Sequence, residues 1–355
     1  MEKHKVRYFE SFKQRAEINL ENLETTIRGM EAIIRPCYVD TVQLERDDFV
    51  KMIMLDATFI LELFLKSKSN EWTRDDPMLV DARLNPRVKR ELLLLENQLP
   101  FFVIEKLYHL ALPSLSNSLS LIQLTFDFFK YWNIHNKAPE GEIIHFTDLL
   151  RFFVLPQHDK LPRRNRKKVF PKYSVTQLRE AGVKFEVVRS KCVLPVLDLS
   201  FKEGVLEIPL LDFHDDTESY VRNIMALEQC YHTDDRYITD FYLILDRLID
   251  TDKDVDLLSQ KGIIVNSLGG NNVQTSMINN LNRGIYWRNM NSNLCRLCEE
   301  LNAFYEKSWH RWEALLRHQY FSTPWRAAST IAAIILLVLT LIQTVCSIIQ
   351  ILPIV

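Results

Sequence analysis

From Ala327 to Val355 the chain runs 29 residues without a charged side chain. Wound as a helix, that stretch would be about 44 Å long at 1.5 Å per residue, more than a hydrocarbon core of about 30 Å. Thirteen Ile, Leu or Val residues lie between Ile331 and Ile351, and together they favour insertion by roughly 4 to 8 kcal/mol. The expectation is a C-terminal transmembrane helix with membrane lipid as its partner. It would begin at Thr323 and Pro324, a cap followed by a first-turn proline. Lys307, Arg311, Arg317 and Arg326 precede it and no charge follows it, so the positive-inside bias keeps the body in the cytoplasm. Tyr320, Phe321 and Trp325 would then sit at the headgroups, in a single-pass protein with its span at the C-terminus.

Polar and small residues interrupt this run on one side. At 100° per residue Thr340, Gln343, Thr344, Ser347 and Gln350 share a face that Ser329, Ala332 and Ala333 extend. In lipid such a stripe suits a helix–helix interface, either self-association or an unknown protein partner. The plainer reading is uncharged residues facing the membrane boundary.

The body must be read from composition and period. With a net charge of −2 over 355 residues there is no global basic field, and no nucleic-acid partner is expected. Eight glycines and 13 prolines against 20 Phe, 12 Tyr and 6 Trp favour helices over a turn-rich sandwich. The opening MEKHKVRYFESFKQRAE has no apolar core of a signal peptide, and six scattered cysteines form no disulfide framework. The fold class is therefore mainly α: a helical cytoplasmic body, one small β-hairpin or sheet element, and the transmembrane tail. Four segments follow: 1–158 helical, 159–174 a basic linker or loop, 175–322 a hairpin and then helices, and 323–355 the tail.

Helical spacing of Tyr8, Phe12, Ile18, Leu23, Ile27 and Met30 predicts one amphipathic helix over 5–35. Phe49 to Leu65 is a nearly continuous apolar run holding Asp56 and Glu62, a buried helix whose carboxylates need partners. In ELLLLENQLPFFVIEKLY, Pro100 must kink a helix or begin one. Glu96, Asn97 and Gln98 offer side chains to the backbone groups it frees, and with Asp56 they are expected to form a buried polar joint. Lys160, Arg163, Arg164, Arg166, Lys167 and Lys168 crowd among prolines, a patch for anionic lipid, a nuclear-import patch or a solvated disordered loop. Val196–Phe201 and Val205–Leu210 flank Lys202, Glu203 and Gly204 as a hairpin with a three-residue loop. Beyond Thr217 the period is helical again, ending in an apolar stripe from Leu301 through Trp309 and Trp312 to Tyr320.

Sites with known chemistry are few. Asp250, Asp252 and Asp254 alternate as in a calcium loop, but Val255 stands where glycine is required and Lys261 where the bidentate glutamate belongs; helix capping is the better reading. Cys295 and Cys298 make one C-x-x-C, and zinc would need Cys230 and His232 as well. Asp212, His214, Asp215 and Asp216 offer either helix-entry chemistry or, as the alternative, the site of a membrane-bound hydrolase or metal-dependent enzyme. Neither a phosphate-binding glycine loop nor a nucleophile elbow is present. No catalytic, cofactor or metal residue is assigned, and the expectation is a non-enzymatic interaction, recognition or signalling protein.

Several blocks together resemble one family: MLDATFILELFL, LLLLENQLPFFVIEKLY, LREAGVKF, LDLSFKEGVLEIPLLDFHDDTESYVRNIMALEQC, DVDLLSQKGIIVNSLG and WRAASTIAAIILLVLTLIQT. They are similar to the plant proteins catalogued as domain of unknown function 247, over nearly the entire chain. The resemblance implies a plant protein associated with membrane through its C-terminus and without established catalysis. It also implies a further N-terminal segment that these residues do not match.

Overall fold

The computed structural model describes residues 2–38, 43–133, 135–138, 142–156, 160–188, 199–286, 289–307 and 324–351. The first layer is α1 (Glu2–Arg15) and α2 (Leu20–Ile34) laid on α3 (Arg46–Ser69). The single helix expected over 5–35 is thus two. Asn19 ends the continuity, because its side chain accepts from the Glu21 N–H as the cap of α2 and the Glu17 N–H turns to the Ala111 carbonyl. Tyr8 and Phe12 of α1 and Leu23 and Ile27 of α2 are buried against α3. α3 is buried on nearly every side from Ala57 to Lys66, as a helix apolar all round must be. Its Glu62 is fully buried and accepts from Ser11 at 2.6 Å and Arg15 at 3.0 Å.

Two short helices follow, α4 (Pro77–Val80) and α5 (Leu84–Glu91). After a 3-10 turn at Leu95–Asn97, α6 (Phe101–Ala111) begins directly behind Pro100. Of the two outcomes open to that proline, the chain takes the fresh start: Phe101 donates its N–H to the Ile144 carbonyl at 2.8 Å. α7 (Pro113–Ser116), α8 (Leu121–Phe128) and α9 (Phe146–Val154) complete this half. Phe64 of α3 meets Phe128, Phe129 and Phe146 with ring centroids 4.4 to 5.9 Å apart, so aromatic packing locks these helices together.

The second half opens with β1 (Arg164–Asn165), α10 (Val175–Glu180) and β2 (Lys184–Val188). β3 (Ser200–Lys202) and β4 (Val205–Pro209) form the hairpin, and β5 (Leu211–Phe213) follows. Lys202 pairs with Val205, so the loop holds two residues rather than three: Glu203 and Gly204, both at positive φ, 51° and 79°, as a primed turn demands. Residues 196–198 of the expected first strand lie outside the described residues.

The hairpin is not the whole of the sheet structure. β2 runs parallel to β4. α11 (Thr217–Cys230), α12 (Tyr237–Leu248) and α13 (Asp252–Gln260) lead to β6 (Ile264–Asn266), parallel to β5. α14 (Asn271–Leu281), β7 (Met290–Asn291) antiparallel to β1, and α15 (Ser292–Glu306) close the body. One contiguous buried cluster runs from Tyr8 to Leu301 and joins both halves.

The tail requires a correction. Helix α16 (Pro324–Ile351) forms, but among the described residues no helix is long and apolar enough to cross a membrane, which overturns the expected transmembrane helix. Thr340, Gln343 and Thr344 interrupt the apolar run of α16 with polar side chains. Thr323, Tyr320, Phe321 and the stripe through Trp309 and Trp312 lie outside the described residues.

Candidate functional site

The turn behind α5 is built by its own side chains. Gln98 donates its amide to the carbonyls of Leu92 and Leu94 at 2.8 and 2.5 Å. Its amide oxygen accepts from the N–H groups of Phe146 and Thr147 at 2.8 and 3.3 Å. One half-buried glutamine therefore closes the turn and satisfies the first N–H groups of α9. Asn97 donates to the Glu91 carbonyl at 3.0 Å, and the Leu95 N–H reaches Asn223 of α11 at 2.5 Å. The turn's carbonyls at Glu91, Leu92 and Leu94 are met by Asn97 and Gln98 close by, while the N–H groups of Leu95 and Phe101 find partners far along the chain, in Asn223 and Ile144.

Fixed this way, the turn forms one wall of a cavity of about 270 Å³. Asp56 and Met52 come from α3, Lys5 from α1 and Glu91 from α5, while Tyr38 enters from the segment after α2. The floor is apolar, with Phe59, Ile60, Leu92 and Leu99. Asp56, Glu96, Asn97 and Gln98, grouped from sequence as a buried polar joint, do line one cavity. Their burial differs from that expectation: Glu96 and Asn97 are exposed, Asp56 and Gln98 half-buried, because the turn faces the opening rather than the core. Lys5, Tyr38 and Glu91 carried no signal in the sequence; they reach the cavity only through the packing of α1, α2 and α5 around α3.

Electrostatics in the cavity are incompletely balanced. The Lys5 ammonium lies 2.6 Å from Asp56 and 3.2 Å from Glu2. Burial pulls Lys5 down, but its bonds to Asp56 and Glu2 outweigh that and hold it above its ordinary range. Burial pushes the Asp56 carboxyl up, against the pull of Lys5. Burial likewise pushes the Tyr38 hydroxyl up to about 12. Glu91 pairs with Arg87 at 2.7 Å. Glu96 has no partner among the described residues.

The remaining sequence candidates are placed elsewhere. Asp216 crosses to Arg90 at 2.5 Å, Asp212 pairs with His214 at 3.1 Å, and Asp215 is exposed. These four side chains splay around the start of α11 and do not converge. Asp254 is fully buried and accepts from Ser174, Thr176 and Thr251, while Asp252 accepts from Thr275; the calcium-like run is capping chemistry. Cys295 and Cys298 are buried on α15, and burial pushes both thiols up. His232 pairs with Asp148 at 2.8 Å. Among the described residues no group of three or more His, Cys, Asp or Glu is placed to hold a metal ion.

The basic stretch is tied into the body. Arg164 reaches Asp240 at 2.5 Å and Asn289 at 2.6 Å, and Lys167 bonds Glu299. Lys160, Arg163, Arg166 and Lys168 are exposed. On α16, Thr340 and Thr344 turn their hydroxyls onto the carbonyls of Leu336 and Thr340. Ser329, Ala332, Ala333 and Gln343 are exposed, and Ser347 and Gln350 lie outside the described side chains.

A buried junction that the sequence did not signal sits between α9, α11 and α12. Glu228 is fully buried and accepts from Arg151 at 3.1 Å, from the N–H groups of Ile238 and Thr239 at 3.3 and 2.8 Å, and from the Thr239 hydroxyl at 2.7 Å. It both neutralises a buried arginine and supplies the N-terminus of α12 with an anion.

A family model described as "Plant protein of unknown function", DUF247, matches residues 1–339. The chain belongs to the DUF247 family. Among its DUF247-like relatives is a UPF0481 protein of Arabidopsis thaliana, 28% identical over 382 residues that cover 99% of this chain and 79% of the relative. A putative UPF0481 protein of the same plant is 25% identical over 170 residues, 48% of this chain and 32% of the relative. No solved structure matches this DUF247 chain. The ENQLPFF block by which the sequence resembles DUF247 is the turn that walls the cavity.

Proposed function

We propose that this DUF247 protein is a non-enzymatic interaction protein that receives a segment of another protein in the cavity between α1, α3 and α5. One observation carries the reading: the exposed Glu96, without a described partner, and the half-buried Asp56 line one cavity over the apolar side chains of Phe59, Ile60, Leu92 and Leu99. Convergent polar groups over apolar walls are the usual make-up of a recognition site. A second feature supports association in general. On α16, Ile331, Leu336 and Ile342 stand 52%, 65% and 55% exposed, and contiguous apolar exposure of that kind marks interaction surfaces.

The test is photocrosslinking in plant extract from a benzoylphenylalanine placed at Asn97, with the same group at exposed Lys51 as control. A partner captured from position 97, lost from position 51 and lost again when Met52→Trp fills the cavity is the expected result. Identical capture from both positions, or capture unaffected by the filled cavity, contradicts the proposal.

A further inference from the structure

We infer that the cavity takes a basic side chain, arginine or lysine, presented by a peptide segment of the partner; this rests on reading the cavity as an interaction site. Charge sets the sign of the ligand. Asp56, Glu91 and Glu96 face the same space; Lys5 answers Asp56 and Arg87 answers Glu91, which leaves the Glu96 carboxylate as the excess charge. In a cleft with apolar walls such an excess is focused rather than diluted by water.

Lys5 already shows the binding chemistry. Its ammonium is held at 2.6 Å by Asp56, so the cavity lining already accepts a cation from the protein's own α1. Glu96 lines the same cavity, is exposed and has no described partner, so it offers a second carboxylate for that chemistry. Phe59 and Leu99, which also line the cavity, suit the methylene stem of an amphipathic cation, which buries its chain and keeps its charge near carboxylates and water. Size points the same way. A cavity of about 270 Å³ lies just under the span of roughly 300 to 1,000 Å³ usual for small-molecule sites, suited to one side chain. The carboxylates are not gathered as a metal-binding set among the described residues, which favours an organic cation over an inorganic one.

Titration calorimetry on the full chain tests this with dodecapeptides of one sequence that differ only at a central Arg, Lys, Gln or Glu, chosen by first screening a random peptide library. The Arg and Lys peptides should bind about tenfold or more tighter than the Gln peptide, the Glu peptide should be weakest, and added salt should narrow the gap. Glu96→Gln, at an exposed position that leaves packing untouched, should lower affinity for the Arg peptide several-fold, and Asp56→Asn should do the same. If Gln or Glu peptides bind as tightly and Met52→Trp abolishes their binding, the assignment of charge is wrong while the interaction site stands. If no library peptide binds the wild-type chain, the underlying reading is wrong as well. Unchanged affinity of Glu96→Gln for the Arg peptide also overturns the inference.

Discussion

Glu228 and Glu96 carry the same side chain into opposite circumstances. Around Glu228 every oxygen is engaged by donors from α9 and α12, and the residue is fully buried. Around the cavity, Asp56 has one lysine across from it and Glu96 has no described partner. The first region has used its charge to join helices, so altering it should unfold the protein. The second keeps charge where the fold does not require it, so altering it should change binding and leave stability alone. A carboxylate's value to the fold is read from its donors, not from its chemistry.

The largest effect should come from breaking the buried junction. Glu228→Ala leaves Arg151 uncompensated and three further donors unmet, and should cost about 3 to 5 kcal/mol in urea unfolding. A cost under about 1 kcal/mol would remove the contrast at its stronger end. Next is acid. His145 caps α9 by accepting from the Asp148 N–H at 3.2 Å, and burial lowers it from 6.5 to about 4, with His232 pushing the same way and Asp148 opposing. The unfolded chain therefore binds the extra proton between these values. Stability present above pH 6.5 should be lost as pH falls toward 4, by roughly 3 kcal/mol at 1.36 per pH unit. His145→Asn, which keeps a capping acceptor, should flatten that part of the pH–stability curve; an unchanged curve would rule the titration out.

Gln98→Met comes third. It strips partners from two carbonyls and two N–H groups at the turn, and should cost about 2 to 3 kcal/mol by thermal or chemical unfolding. A near-neutral result would mean that water replaces the glutamine and that the cavity wall is not set by it. Asp56→Asn should be small, within about 1 kcal/mol, because the pair with Lys5 is only half-buried and screened. A loss comparable to that of Glu228→Ala would place the cavity in the structural class and dissolve the comparison.

Much of the helical frame was legible in the sequence, and its failures are local in cause. Pro100 announced a kink or a start, the run from Phe49 to Leu65 announced a buried helix, and Gly204 announced a hairpin. Asn19 as a cap was hidden because apolar spacing continues through it, so one helix was read where there are two. The parallel pairs β2 with β4 and β5 with β6 join strands that are not consecutive, with β3 between the first two and three helices between the others, and a period along the chain cannot report a partner across it. In the tail, hydropathy alone argued for a membrane crossing that the described residues do not sustain. At the site, Asn97 and Gln98 were readable because they serve backbone a few residues away. Lys5, Tyr38 and Glu228 were not, since tertiary packing alone gives them their roles.

Unfolding of Glu96→Gln in urea, with and without the arginine peptide, tests the account most directly. Its stability without peptide should equal that of the wild type within about 0.5 kcal/mol. Peptide at one hundred times its wild-type Kd should stabilise the wild type by about 2.7 kcal/mol and the variant by clearly less. A variant that is less stable on its own, or that gains as much from the peptide as the wild type, would contradict the claim that this carboxylate is held for a partner.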